Sequence, residues 1–229
     1  MNINNRAYFI AATVFLFLFL LLANNSSAAE PTFLLTWSTK SYVPAVYSGK
    51  ALPTAGSEIH ASLQVINQNK AVDISAQTIY WYVDGNLVSN KPGVQDITFH
   101  APAFAPGVID VKVQLPSYPS SNNIAEEAIP VVQPEAVIVA PYPGGIFYGG
   151  TAEATAYPYF FNVTDPNSLN FTWSVNGQTP SSSDSPQTLS VNTDPNAPVG
   201  STLLLALDIS NPSNQNESAI KYLNLIMSK

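Results

Sequence analysis

The chain has 229 residues, a formal net charge of −7 and 10% charged residues, against ~25% in ordinary soluble domains. It has no cysteine, which excludes disulfides, thiolate metal sites and a lipidated cysteine. Its only arginine is Arg6 and its lysines, such as Lys40, Lys70 and Lys112, are scattered, so a phosphate-backbone reader is excluded and nucleic acid is not an expected partner.

The 19 prolines and 11 glycines speak against a helical protein, and the apolar content is rich in the aromatic and β-branched residues that suit strands. An all-β fold is expected.

Arg6 precedes a 16-residue apolar run, Tyr8 to Ala23, followed by Asn24-Asn25-Ser26-Ser27-Ala28-Ala29-Glu30. That order is the one of a secretory signal. The run is long for a signal core of ~7–15 residues and short for a membrane span of ~20. Residues 1–29 are therefore read as a signal peptide or a membrane anchor helix, and the remainder as extracytoplasmic. The membrane is a partner only through this segment.

The body repeats itself. Trp81-Tyr82-Val83-Asp84-Gly85 returns 92 residues later as Trp173-Ser174-Val175-Asn176-Gly177, and Ala105-Pro106 returns at the same shift as Ala197-Pro198. Ala128-Ile129 matches Ala219-Ile220 at a shift of 91. A tandem duplication is expected, with domains 30–133 and 134–229.

In the first repeat, Ile59, Ala61, Leu63 and Val65 alternate with polar residues, as a half-buried strand requires. Ile79, Trp81 and Val83 form a second apolar face before Asp84-Gly85, a tight-turn signal. Ile97 and Phe99 mark a short strand, Ile109 to Leu115 alternate again, and Ala128 to Val132 closes the set. The second repeat retraces this in 152–160, 169–175, 187–191, 203–209 and 218–226. Phe33–Trp37 and Val137–Ala140 supply the first strands. Leu203 to Leu207, apolar on both faces, is expected to be a central strand covered on its outer side. The linker, Pro130 to Glu135, has two prolines and no glycine, which stiffens it.

Such a strand set, with a Trp on each third strand, is the Ig-like sandwich pattern. The Trp-x-Val-[Asp/Asn]-Gly strand-turn resembles bacterial Ig-like, PKD-type surface repeats. The region with Tyr42-Val43-Pro44 and Gly49-Lys50-Ala51-Leu52-Pro53 ahead of it is similar to uncharacterised exported proteins of candidate-phyla bacteria. The resemblance implies a spacer, an adhesion module or a docking platform, with an unidentified protein or glycan at the cell surface as partner.

Chemistry is sparse. His60 and His100 have no neighbour at metal-ligand spacing, and no nucleophile, phosphate-loop or zinc motif is present. No catalytic residue, cofactor or metal ligand is assigned, and a hydrolase with an unrecognised site is the remote alternative. Glu126 and Glu127 are consecutive on a strand and should point to opposite faces. Asp165-Pro166-Asn167 and Asp194-Pro195-Asn196 read as turns rather than calcium loops. The aromatic segments 142–148 and 157–161 offer Tyr142, Tyr148, Tyr157 and Tyr159 as a sugar- or peptide-binding surface, against the simpler reading that these rings pack in the core or between repeats. Trp81 and Trp173 are read as core pins.

Overall fold

The structure, a computed structural model, describes residues 30–103, 106–120, 122–180, 185–194 and 196–228. The signal or anchor segment, Ala105 and Pro195 lie outside these. Among the described residues no helix is long and apolar enough to cross a membrane.

The first eight strands make two antiparallel sheets. Strand β1 (Thr32–Thr39) pairs along β2 (Glu58–Asn67), whose other edge carries the two-residue β3 (Lys70–Ala71) and β6 (Asp96–His100). The second sheet runs in the order β5 (Asn86–Pro92), β4 (Thr78–Val83), β7 (Gly107–Gln114), β8 (Ile124–Val131). Period-two alternation places Ile59, Ala61, Leu63 and Val65 of one sheet against Ile79, Trp81, Ile109, Val111, Val113 and Ile129 of the other, all buried in one core. The layering is that of an Ig-like β-sandwich.

Strands β9 (Glu135–Val139) to β15 build a second pair of sheets. One has the order β13 (Thr188–Asn192), β11 (Thr151–Tyr159), β9. The other has β10 (Ile146–Phe147), β15 (Asn214–Met227), β14 (Thr202–Asn211), β12 (Asn170–Val175), with β10 parallel to β15. A separate core holds Trp173, Leu189, Leu203, Leu205, Leu207, Ile209 and Leu225.

The repeated motif has one physical job in both copies. Trp81 is fully buried and Trp173 nearly so. Each indole must then find an acceptor for its N–H. Trp81 Nε1 donates to the Val94 carbonyl at 2.7 Å and Trp173 Nε1 to the Pro186 carbonyl at 3.1 Å, in each case 13 residues on. The turn residues have positive φ: Asp84 48°, Gly85 76°, Asn176 52° and Gly177 80°. Glycine takes that region without strain, and Asn and Asp tolerate it best among the other residues. The Asp84 Oδ1 atom accepts from Asp110 N at 2.9 Å, and Asn176 Oδ1 accepts from Leu204 N at 2.9 Å. Both bonds tie the turn to the neighbouring strand and need only an oxygen. That is why Asp and Asn exchange at this point of the motif.

Two expectations are corrected. Leu203 to Leu207 does lie in a central strand, but its outer face is uncovered, since Leu204 is 42% exposed. The match of Ala128-Ile129 to Ala219-Ile220 is fortuitous. Cross-strand register equates Val113 with Leu207 (each facing the motif tryptophan) and Ala125 with Lys221. The shift therefore grows along the repeat, because the connections lengthen while the core stays aligned. Ile129 is buried and Ile220 is exposed.

Trp81→Ala is expected to lower stability by about 3–5 kcal/mol, as large-to-small core changes do; urea denaturation measures it, and a loss below about 1 kcal/mol would contradict the pin. Asp84→Asn should be nearly neutral, whereas Asp84→Ala should cost about 1–2 kcal/mol, because Asp110 N loses its acceptor.

Candidate binding surfaces

Two places concentrate polar and aromatic side chains: the seam between the repeats and the outer face of the β5-β4-β7-β8 sheet.

The seam is made by the chain between β1 and β2, which reaches the second repeat. Tyr42 N donates to the Phe161 carbonyl and Phe160 N to the Tyr42 carbonyl, both at 2.7 Å. Phe160 has φ 62°, unusual for a bulky residue. It is held there by those bonds and by Tyr47, whose ring meets Phe160 at 5.7 Å and Tyr159 at 5.6 Å, edge to face. Burial, and then the nearby Asp165 and Tyr159, push the Tyr42 phenol above its ordinary value.

Beside these rings lies Glu217, 1% exposed. Its carboxylate accepts from Thr54 Oγ1 at 2.7 Å, from Asn211 Nδ2 at 2.7 Å, and from Asn162 N at 3.2 Å on each oxygen. Thr54 spends its proton on Glu217, so its oxygen must accept from the Ser57 hydroxyl at 3.0 Å. Ser57 in turn accepts from Ser41 at 3.4 Å. Donors from both repeats thus converge on one buried carboxylate, which is how a buried charge becomes tolerable.

The four tyrosines singled out in the sequence differ in their surroundings. Tyr159 is in the seam. Tyr142 is half-buried, donating from its hydroxyl to the Thr151 carbonyl at 3.2 Å and accepting from Glu153 N at 2.9 Å. Tyr157 is half-buried on β11, and Tyr148 is 76% exposed.

The second face was not singled out by the sequence. Cross-strand pairing sets Tyr82, Lys112 and Glu126 in one row and Tyr80, Gln114 and Ile124 in the next. Lys112 Nζ lies 3.3 Å from Glu126 Oε1. Tyr82, the Gly85 turn, Asp110, Lys112, Gln114 and Glu126 border a half-open groove of about 700 Å³. Glu127, the next residue of the edge strand β8, is paired with the core residue Val111 rather than with Lys112, in keeping with the expected opposite facing of the two glutamates. On the side of β8 nearest β1, Lys50 Nζ sits 3.3 Å above the Trp37 ring. Burial holds this amine below the ordinary lysine range, partly offset by Glu127.

The remaining candidates are local. His60 Nε2 is 3.5 Å from Asp96 Oδ1, both about half exposed. Asp165 Oδ1 accepts from Asn167 N at 2.9 Å and Asp194 Oδ1 from Asn196 N at 2.8 Å. Each carboxylate thus closes its own turn. Among the described residues no group of three or more His, Asp or Glu is placed to hold a metal ion.

No protein-family model and no curated protein matches the chain, so the PKD-type resemblance stands on motif and strand order alone, and nothing found links the chain to candidate-phyla proteins. Solved structures are similar only at low identity. The three N-terminal domains of the Highly Immunogenic Outer Capsid protein of bacteriophage RB49 share 13% identity over 86% of this chain and 59% of that one, with a TM-score of 0.41. Fibronectin(III)-like modules of Clostridium thermocellum CbhA share 14% over 85% and 94%, with a TM-score of 0.29. The Yersinia pseudotuberculosis adhesin InvE shares 13% over 85% and 59%, with a TM-score of 0.28. The chain thus spans about three-fifths of the first of these.

Glu217→Gln exchanges one acceptor oxygen for a donor that faces other donors. It is expected to cost about 1.5–3 kcal/mol, the range for hydrogen bonds to charged groups. Calorimetry should show the repeats unfolding less cooperatively than in the parent chain; an unchanged profile would mean the network does not couple them.

Proposed function

We propose that the chain is an exported, non-enzymatic protein whose Ig-like modules, 30–133 and 134–229, form a stiff pair that spaces and presents an interaction surface outside the cytoplasm. The observation that carries this reading is the Glu217 network. A carboxylate buried between modules, with donors from both, is a costly arrangement to keep unless one orientation matters. The short proline-bearing link and the Tyr42–Phe161 bridge add to it.

Export is supported by the order of Arg6, the apolar run and the small polar residues that follow. A non-enzymatic role is supported by the distribution of reactive groups. The His60–Asp96 pair is solvated, the turn carboxylates bind their own backbones, and the buried Glu217 carboxylate is enclosed by structural donors. The alternative, a sugar or peptide surface built from Tyr142, Tyr148, Tyr157 and Tyr159, has only Tyr148 as an exposed ring, with Tyr159 packed against Tyr47 and Tyr142 bonded to the β11 backbone.

Expression with a C-terminal tag in a bacterial host, followed by protease treatment of intact cells and assay of the medium, tests the localisation. The tag should be secreted or removed by external protease. A tag recovered intact in the cytoplasm would overturn the export half of the proposal.

A further inference from the structure

We propose that the outer face of the β5-β4-β7-β8 sheet is a binding site for a neutral oligosaccharide, with Tyr82 as stacking platform and Asp110, Lys112, Gln114 and Glu126 as hydroxyl partners. The proposal rests on the reading of the chain as an interaction module and names the site and the ligand class.

The groove's volume of about 700 Å³ falls within the ~300–1,000 Å³ typical of ligand pockets. Its walls come from paired strands and the Gly85 turn. Tyr82, Lys112 and Glu126 sit side by side across three paired strands, about 5 Å apart as paired strand neighbours are. Tyr80 lies two residues from Tyr82 on the same side of β4, extending the aromatic strip by about 7 Å.

The mixture of groups selects the ligand. A sugar hydroxyl both donates and accepts, so it needs acceptors and donors within one site. Asp110 and Glu126 accept, Lys112 donates, and the Gln114 amide does both. The C–H face of a pyranose lies flat on a tyrosine ring. Two carboxylates (Asp110, Glu126) against one ammonium disfavour sulfated or uronate sugars. A purely basic peptide would leave Lys112 opposed.

The second repeat is an internal control. Register equates the row Tyr82–Lys112–Glu126 with Ser174–Ala206–Tyr222, and Asp110 with Leu204. The core positions stay apolar in both copies, Trp81 and Val113 matching Trp173 and Leu207. The sandwich therefore folds without a ring flanked by charges on this face, and the polar set in the first repeat is not a requirement of folding.

The test is calorimetric titration of the full chain, in mild detergent, with gluco-, xylo-, manno- and galacto-hexaoses, and separately with oligolysine. At least one neutral hexaose should bind, Tyr82→Ala and Gln114→Ala should each weaken it more than tenfold, and Tyr148→Ala should leave it unchanged. A melting curve for each variant confirms that the fold survives, and Tyr82→Phe, which keeps the ring, should retain binding. No binding by any hexaose, binding that survives Tyr82→Ala, or salt-sensitive binding of oligolysine alone would overturn the site. Those failures leave the export assay untouched, so they do not overturn the exported-module reading.

Discussion

Glu217 is the constraint on which the two-module geometry depends. An ionisable side chain with 1% exposure is tolerated only where its lone pairs are met, since burying an unpaired charge costs several kcal/mol. All four of its hydrogen bonds come from three residues that must be delivered there. Asn211 arrives from the β14–β15 hairpin, Asn162 from the segment just after β11, and Thr54 from a loop 163 residues away in sequence. Satisfying this one group therefore fixes the hairpin, the segment just after β11 and the β1–β2 connection at once. The strained Phe160 backbone belongs to the same joint, where surrounding contacts over-determine it.

This division of labour explains why the positions shared by the two copies of the motif serve folding. The tryptophan indoles are spent on carbonyls 13 residues downstream, and the Asp84 and Asn176 side chains on backbone amides of the adjacent strand. The shared Trp and Asp/Asn side chains are thus used inside their own sandwiches, and Tyr82, which the second copy replaces with Ser174, is not part of that shared set. What differs between the copies lies on the outer sheet faces, where the core imposes nothing: charge and tyrosine in the first, Leu204, Ala206, Ile220 and Tyr222 in the second. The copies agree where folding needs agreement and diverge where it does not.

The parts legible in the sequence were those governed by period-two burial and local turn chemistry. β2 and β7 alternate cleanly, and Asp84-Gly85 marks its own turn. β5 leaves no mark in the sequence, because Asn86-Leu87-Val88-Ser89-Asn90-Lys91-Pro92 is a largely exposed edge strand with no apolar stripe to betray it. The register of β15 was misplaced because an Ala-Ile pair is a weak anchor beside a buried tryptophan. Leu204 read as covered because hydrophobicity alone does not say which face of a sheet has a neighbour. Glu217, within Asn214-Gln215-Asn216-Glu217-Ser218, reads as part of a polar turn, since its burial depends on a segment far away in the chain. The Tyr82 groove was missed for a related reason. Lys112 and Glu126 meet across strands, a proximity that only the pairing register reveals.

The stiffness of the joint is the claim on which spacing and presentation both rest, and the absence of cysteine makes it directly measurable. Spin labels attached through Lys91→Cys and Glu153→Cys, both at exposed positions in different modules, report the inter-module distance by pulsed electron paramagnetic resonance. A single narrow distribution that broadens when Glu217→Ala is added is the predicted result. A broad distribution in the chain with Glu217 intact would show modules that move independently, and would contradict the account.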